Sequence, residues 1–292
     1  MIFVLGAAIL GAGMWLRHQQ QASLPALLTH LPSQEAVYGY VSVEALRASG
    51  LLKPNAKPNT REPEYEAFIA KSGFNWEKDM DSVLWSSTKD GRFFFVTGHF
   101  DWDQLEKFVA QEGGECRDSF CTLAGSVPDR QISFFPWRTN VMAMAVSPDR
   151  YAADRMRIEY RYLLEPPASP FWIHASPNSL KGSVPESPGL RVFARLLEHA
   201  KDATLYLDAG KEPFSLQLRA QCENQEQAEK LRDGLTKGTE WLKTLLRMED
   251  QTPTGTDVAG VLSKGSFAAK QSTVEGVWPI PREFLAQLIA EE

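Results

Sequence analysis

Three cysteines among 292 residues are too few for the disulfide framework of a small secreted scaffold. A chain of this length does not need one, because it can bury one large core or two ordinary ones. Runs of lysine and arginine are missing too. The chain carries 31 basic and 37 acidic side chains for a net charge of −6. Setting Arg17 aside with the N-terminal segment leaves 30 basic against the same 37 acidic groups. An acidic body repels phosphate backbones, so nucleic acid is not an expected partner. Histidine is scarce and scattered (His18, His30, His99, His174 and His199), with no pair at the i, i+4 spacing of a helical zinc site. No Ser lies in a Gly-x-Ser-x-Gly elbow, and no glycine-rich loop follows a strand pattern. Neither a metal nor a cofactor is expected. Wholesale disorder is excluded by 43% apolar and 23% charged residues.

What is present begins at the N-terminus. Met1 to Leu16 reads MIFVLGAAILGAGMWL and holds no charged side chain. Sixteen helical residues span about 24 Å, somewhat less than the roughly 30 Å hydrocarbon core of a bilayer. An uncut signal anchor fits the segment best. A cleaved signal peptide wants a basic n-region, and none precedes Ile2. A buried core helix would be apolar on one stripe rather than all round. Trp15 suits the headgroup level. The lipid bilayer, reached through residues 1–16, is therefore an expected partner. Arg17 and His18 after the segment pull weakly toward a cytoplasmic body.

The cysteines pull the other way. Cys116 and Cys121 flank four turn-like residues, a spacing that lets the two arms of a hairpin bridge. In an oxidising compartment the outcome is a disulfide. A metal pair would need further ligands that the sequence lacks, and two free thiols are the remaining reading. Cys222 ends an apolar strand pattern as a buried thiol. The expectation is a single-pass membrane protein with a periplasmic or extracellular body.

The chain also looks duplicated. Residues 17–35 read as a stalk with a short apolar helix around Leu24 to Leu31, 36–165 as a first α+β module and 170–292 as a second, with Glu165-Pro-Pro-Ala-Ser-Pro170 between the modules. Phe94, Val96, Gly98 and Phe100 alternate along one strand pattern, as do Leu216, Leu218, Ala220 and Cys222 at an offset of 122. Each pattern runs into a helix, 102–112 and 224–237, with Asp101 and Glu223 placed to favour the helix dipole. The opening strands align at an offset of 134, Tyr40 with His174. Late in each half a strand runs into Pro, at Pro148 and Pro281, with Tyr151 and Phe284 three residues on facing the core. Each half reads as strand, helix, two strands, helix, hairpin and closing helix. The fold expected is two tandem ferredoxin-like βαββαβ modules with helices on one face, behind a transmembrane helix.

Two constellations invite a functional reading. His99-Phe-Asp101-Trp-Asp103 could supply an acid and a base, although a strand end followed by helix-capping acids accounts for the same residues. Phe134, Phe135, Trp137, Trp172 and Trp278 could form an exposed apolar patch for a partner, although aromatics also fill sheet-to-helix layers. The reading that follows is a membrane-anchored interaction or assembly module, non-catalytic, acting as an accessory subunit of a larger membrane complex. A carrier of an apolar small ligand and a hydrolase are the alternatives.

Overall fold

The computed structural model describes residues 23–33, 35–52, 63–125, 127, 130–161, 165–180, 188–210, 214–248 and 257–285. The segment 1–16 expected to cross the membrane lies outside these residues. No described helix is long and apolar enough to cross a membrane.

Runs that are apolar at both odd and even positions belong in sheets covered on both faces. Gly91–Gly98 (β3) is such a run. Phe93 and Phe95 enter one core, while Phe94 and Val96 face another. The other strands of the N-terminal half are β1 (Val37–Ser42), β2 (Met80–Thr88), β4 (Glu115–Arg117), β5 (Phe120–Ala124), β6 (Gln131–Arg138) and β7 (Val141–Ser147). Those of the C-terminal half are β8 (Phe171–Ala175), β9 (Asp202–Asp208), β10 (Phe214–Gln221), β11 (Ser266–Lys270) and β12 (Thr273–Ile280). All twelve join one mixed α/β body dominated by a single antiparallel sheet, in the order β11-β12-β10-β9-β8-β1-β2-β3-β7-β6-β5-β4.

That order corrects the ferredoxin-like expectation. A split βαβ sheet sets its first and third strands side by side and parallel. Here β1 pairs with β2 and β8, both antiparallel. Local periodicity fixes which residues form strands but not which strands become neighbours, and the choice was made by long-range pairing.

Read outward from the central β1–β8 pair, each half gives the same sequence of neighbours: first, second, third, last and penultimate strand. Register follows suit. Val83 opposes Val96 in one half, and Leu205 opposes Leu218 in the other, each residue 122 further on. Tyr40 opposes Leu84 as Trp172 opposes Tyr206, which sets the offset of the opening strand at 132 and corrects the 134 read from sequence. The closing strands correspond at 134, since Phe94 opposes Met144 where Leu216 opposes Trp278. The Pro-to-Pro alignment at 133 is one residue out and would exchange the two faces. Tyr40 and Trp172, which hold corresponding places in the two registers, are also direct partners across the seam, their rings 6.1 Å apart at 25°.

Helices cover both faces of the N-terminal half, not one. On one side lie α1 (Leu24–Leu28) and a 3₁₀ turn at Ala152–Arg157, burying Leu27, Leu28, Leu31, Ala152, Ala153 and Met156 against Phe93, Phe95 and Trp172. The short apolar helix expected around Leu24 to Leu31 is present as α1, and Leu27, Leu28 and Leu31 belong to the core. After β1 come α2 (Val43–Ala48), α3 (Pro63–Ser72) and α4 (Trp76–Asp79). On the opposite face α5 (Trp102–Gln111) sets Leu105 and Val109 against Val96 and Met142. The C-terminal half holds α6 (Pro177–Leu180), α7 (Pro188–Leu197), α8 (Gln225–Met248) and α9 (Val258–Leu262). Leu231, Leu235, Leu242 and Leu246 of α8 pack with Leu218, Ala220, Val274 and Trp278. The cap of α8 is Asn224, whose side chain accepts from Gln227 N–H at 2.9 Å. Phe284 is buried as expected, but Tyr151 is 55% exposed because the chain turns into the 3₁₀ segment there.

The halves are also tied away from the seam. Leu51 enters the C-terminal core, and Arg282 Nη2 donates to the Ser49 carbonyl at 2.6 Å.

Candidate functional site

The residues singled out by chemistry, His99, Asp101 and Asp103, do come together. With Gly73, Phe74, Asp79, Phe100 and Trp102 they line an open depression of about 630 Å³ where β3 leads into α5. The local path is dictated by the backbone. A Cβ at Gly98 would collide with the Asp79 carbonyl, and the His99 N–H donates to that same carbonyl at 2.7 Å. Asp101 is the N-cap of α5, accepting from Gln104 N–H at 3.0 Å. Asp79 accepts from Asn75 N–H at 2.7 Å, and the Trp102 indole donates to the Thr139 carbonyl at 2.9 Å. Phe74 stacks on Phe100 at 5.3 Å, and Phe100 meets Trp102 at 5.1 Å. One oxygen of Asp101 and one of Asp79 are thus committed to holding backbone. His99, Asp101 and Asp103 stand exposed to water. Acid–base catalysis draws leverage from desolvated groups, whereas these three side chains lie in water. The equivalent positions of the other half hold Gln221, bonded to Ser272 and Thr273, and Glu223.

The aromatic set is dispersed over three cores. Phe134 packs beneath α5, Phe135 and Trp172 lie under α1, and Trp278 lies under α8. All four are at most 6% exposed, and Trp137 is half-buried with its ring 4.7 Å from His30. They do not form the surface expected of them. Because the N-terminal half is covered on both faces, its aromatics have a helix or turn on either side.

The cysteine expectation holds. Cys116 and Cys121 are direct partners in the β4–β5 register and are bonded, with Cα atoms 4.0 Å apart. The turn between them uses Asp118 and Ser119, both at positive φ (48° and 63°), the backbone of a two-residue type I′ connection. Cys222 is a buried free thiol whose pKa is pushed up by burial and by nearby Asp202. Among the described residues no group of three or more His, Cys, Asp and Glu side chains could hold a metal ion.

A second cavity, about 320 Å³, opens beneath α1. Its floor is two rows of side chains running across β1, β2 and β3. The inner row is Tyr40, Leu84 and Phe95, each opposite the next. Two positions along each strand, and so on the same face, the outer row is Ser42, Ser82 and Thr97. Leu24 and Leu27 of α1 close the apolar end, while Glu44, Asp81 and Asn140 stand at the polar end. The Ser82 and Thr97 hydroxyls bond each other at 2.7 Å. Ser42 caps α2 by accepting from Ala45 N–H at 3.1 Å. Asp81 takes Arg47 at 3.3 Å, whereas Glu44 has no ion pair among the described residues. The inner row continues across the seam through Trp172 to Tyr206. This cavity escaped sequence reasoning. Its signal was a hydroxyl two residues from an apolar side chain in each of three strands, legible only once their register is known.

Near the seam, burial lowers the pKa of His174 against a smaller opposing effect of Asp202, and Nδ1 lies 2.9 Å from Thr204 Oγ1. Burial likewise pushes the Tyr38 phenol up to about 12, opposed by its bond with Ser33.

No family model and no curated protein matches the chain. Solved structures similar to it include three crystal forms of TP0453. Form I aligns at a TM-score of 0.49 and 11% identity, covering 92% of this chain and 98% of that one. Form IV gives 0.48 and 11%, covering 90% and 96%, and form III gives 0.48 and 12%, covering 91% and 98%. At these scores the likeness carries no statement about function.

Proposed function

We propose that the chain is a membrane-anchored extracytoplasmic interaction module, an accessory or assembly subunit beside a larger membrane complex. The observation that carries this reading is the Cys116–Cys121 bond in a chain that opens with sixteen uncharged residues. A disulfide persists in oxidising compartments, and an apolar leader is the means of reaching one while remaining at the bilayer. The partner-facing surface is not the buried aromatic set. Exposed large apolar side chains include Tyr151 and Ile158, at the two ends of the 3₁₀ turn. Mild-detergent extraction of native membranes followed by chemical crosslinking and size-exclusion chromatography tests the reading. The full chain should elute in a defined complex larger than its monomer; a monomeric, partnerless elution after crosslinking contradicts it.

We also infer that the two halves descend from one duplicated unit. The supporting observations are the mirrored strand order and the matching registers about Tyr40 and Trp172.

The second reading, a carrier of an apolar small ligand, is favoured by the cavity beneath α1. Its volume of about 320 Å³ falls at the lower end of the range for small-molecule sites. Retention of a ligand through native mass spectrometry supports this reading, and a consistently empty protein removes it.

A further inference from the structure

We propose that β11, the outer strand of the C-terminal half, pairs antiparallel with β11 of a second copy of this chain about a two-fold axis at Ala268. The inference goes beyond the accessory-subunit reading and does not depend on it.

The two ends of the twelve-stranded sheet differ. At one end β4 is three residues long, carries Glu115 and Arg117, and is stapled to β5 through Cys116 and Cys121. Short length and charge keep a sheet edge from pairing with a neighbour. At the other end β11 holds five residues, with no proline and a single charge. That charge is drawn to the inner side, where the Lys270 ammonium donates to Glu275 of β12 at 2.6 Å. In strand order β11 corresponds to β6. On its outer side β6 has β5, antiparallel, whereas β11 has no strand there among the described residues.

Register fixes what the open side presents. The β11–β12 hairpin closes at Lys270 and Thr273, around Gln271 and Ser272. Ladder bonds alternate along an antiparallel pair, so Ser266, Ala268 and Lys270 turn their backbone groups to β12, while Phe267 and Ala269 turn theirs outward. Two N–H and two C=O groups thus face away from the sheet, a pattern matched by another extended backbone. Pairing centred on Ala268 sets Phe267 of each copy opposite Ala269 of the other and satisfies all of these groups. The side chains are self-complementary in that register. Ala268 meets its own copy at the closest approach, about 4.5 Å between Cα atoms. Phe267 and Ala269, both partly buried at the rim of the C-terminal core, set a large side chain against a small one and carry that core into the second copy. Ser266 stands opposite Lys270, an acceptor beside a donor. The arrangement is isologous and closes as a dimer.

Cysteine crosslinking of the purified full chain in a nonionic detergent tests the register. Ala268→Cys brings two thiols within disulfide reach across the axis and should convert most of the chain to a covalent dimer under mild oxidation. Lys270→Cys alone should give none, and a mixture of Ser266→Cys with Lys270→Cys chains should give the dimer joining the two. The wild-type chain, whose one free thiol Cys222 is buried, is the control. Sedimentation equilibrium should show a wild-type dimer at micromolar concentration. Ala268 is exposed, so Ala268→Glu leaves the core alone; it sets two carboxylates face to face and should weaken the dimer about tenfold. Ala269→Pro, which removes an outward N–H, should abolish it. A wild-type monomer, an Ala268→Cys dimer no more abundant than that of Lys270→Cys, or a dimer unmoved by Ala268→Glu and Ala269→Pro overturns the proposal. None of these results touches the accessory-subunit reading, because the purified chain contains no other partner.

Discussion

The bond between Cys116 and Cys121 joins residues only 5 apart in sequence, at the outer edge of the sheet where β4 has β5 as its one strand partner. In the chain-entropy treatment, so short a loop removes about 2 kcal/mol of unfolded-state freedom at 25 °C. The turn adds to the effect. Asp118 and Ser119 both hold left-handed backbone that L-residues adopt at a cost of order 1 kcal/mol each, so the open hairpin has a strong tendency to relax. Reduction is the cleaner perturbation, because Cys121 is 1% exposed and replacing it would add a packing defect. Urea unfolding of the full chain with and without a phosphine reductant should show a loss of about 2 kcal/mol. Cys222 is already a free thiol and contributes nothing to the difference. Hydrogen exchange should show β4 and β5 losing protection before β8 or β9. An unfolding midpoint unmoved by reduction, with the bond verified open by mass spectrometry, would refute the reasoning.

Other expectations follow from the same geometry. Asp101→Ala should cost about 1 kcal/mol in urea unfolding by removing the α5 cap, while Asp101→Asn keeps the cap and should cost a few tenths at high salt; equal losses would mean that charge, not capping, is the role of Asp101. Gly39→Ala should cost about 1–3 kcal/mol, because a Cβ there collides with the Trp85 ring in the central strands; a thermal midpoint unchanged from wild type would show that the indole has somewhere else to go. His174, with a pKa lowered in the folded state, binds its proton more readily when unfolded, so stability should fall as pH drops below about 6.5. His174→Gln should flatten that part of the pH profile of urea midpoints, and an unaltered slope would exclude the assignment.

Much of the local structure was legible. The α5 expectation of 102–112 meets Trp102–Gln111, and the helix expected at 224–237 is present within α8, which runs on to Met248. These are cases in which periodicity and capping residues act within a few turns. The offset of 122 read between Phe94 and Leu216 recurs in the strand registers, and β3 and β10 are each followed directly by a helix. The seam was not legible. Nothing in Tyr38-Gly-Tyr or Trp172-Ile-His says that they pair with each other, because antiparallel register between strands more than a hundred residues apart is decided by global packing. The same blindness left core packing and an exposed patch both open for the aromatics. Nothing in the sequence says that α1 and the 3₁₀ turn are the elements that cover Phe135 and Trp172. Part of the candidate site was visible in the His99–Asp103 cluster, which does share a depression, but the hydrogen bonds that bind Asp101 and Asp79 to the backbone are three-dimensional facts. The graded cavity needed three strands in register before its two rows existed at all.

The central claim, a tethered body in an oxidising compartment, is tested most directly by the fate of the intact chain in its own cells. Membranes washed with alkaline carbonate should retain the full-length polypeptide, and acid-trapped thiols of that material should take one maleimide per chain, at Cys222, with Cys116 and Cys121 protected. Recovery of the full-length chain in the soluble cytosolic fraction with three reactive thiols would contradict the account.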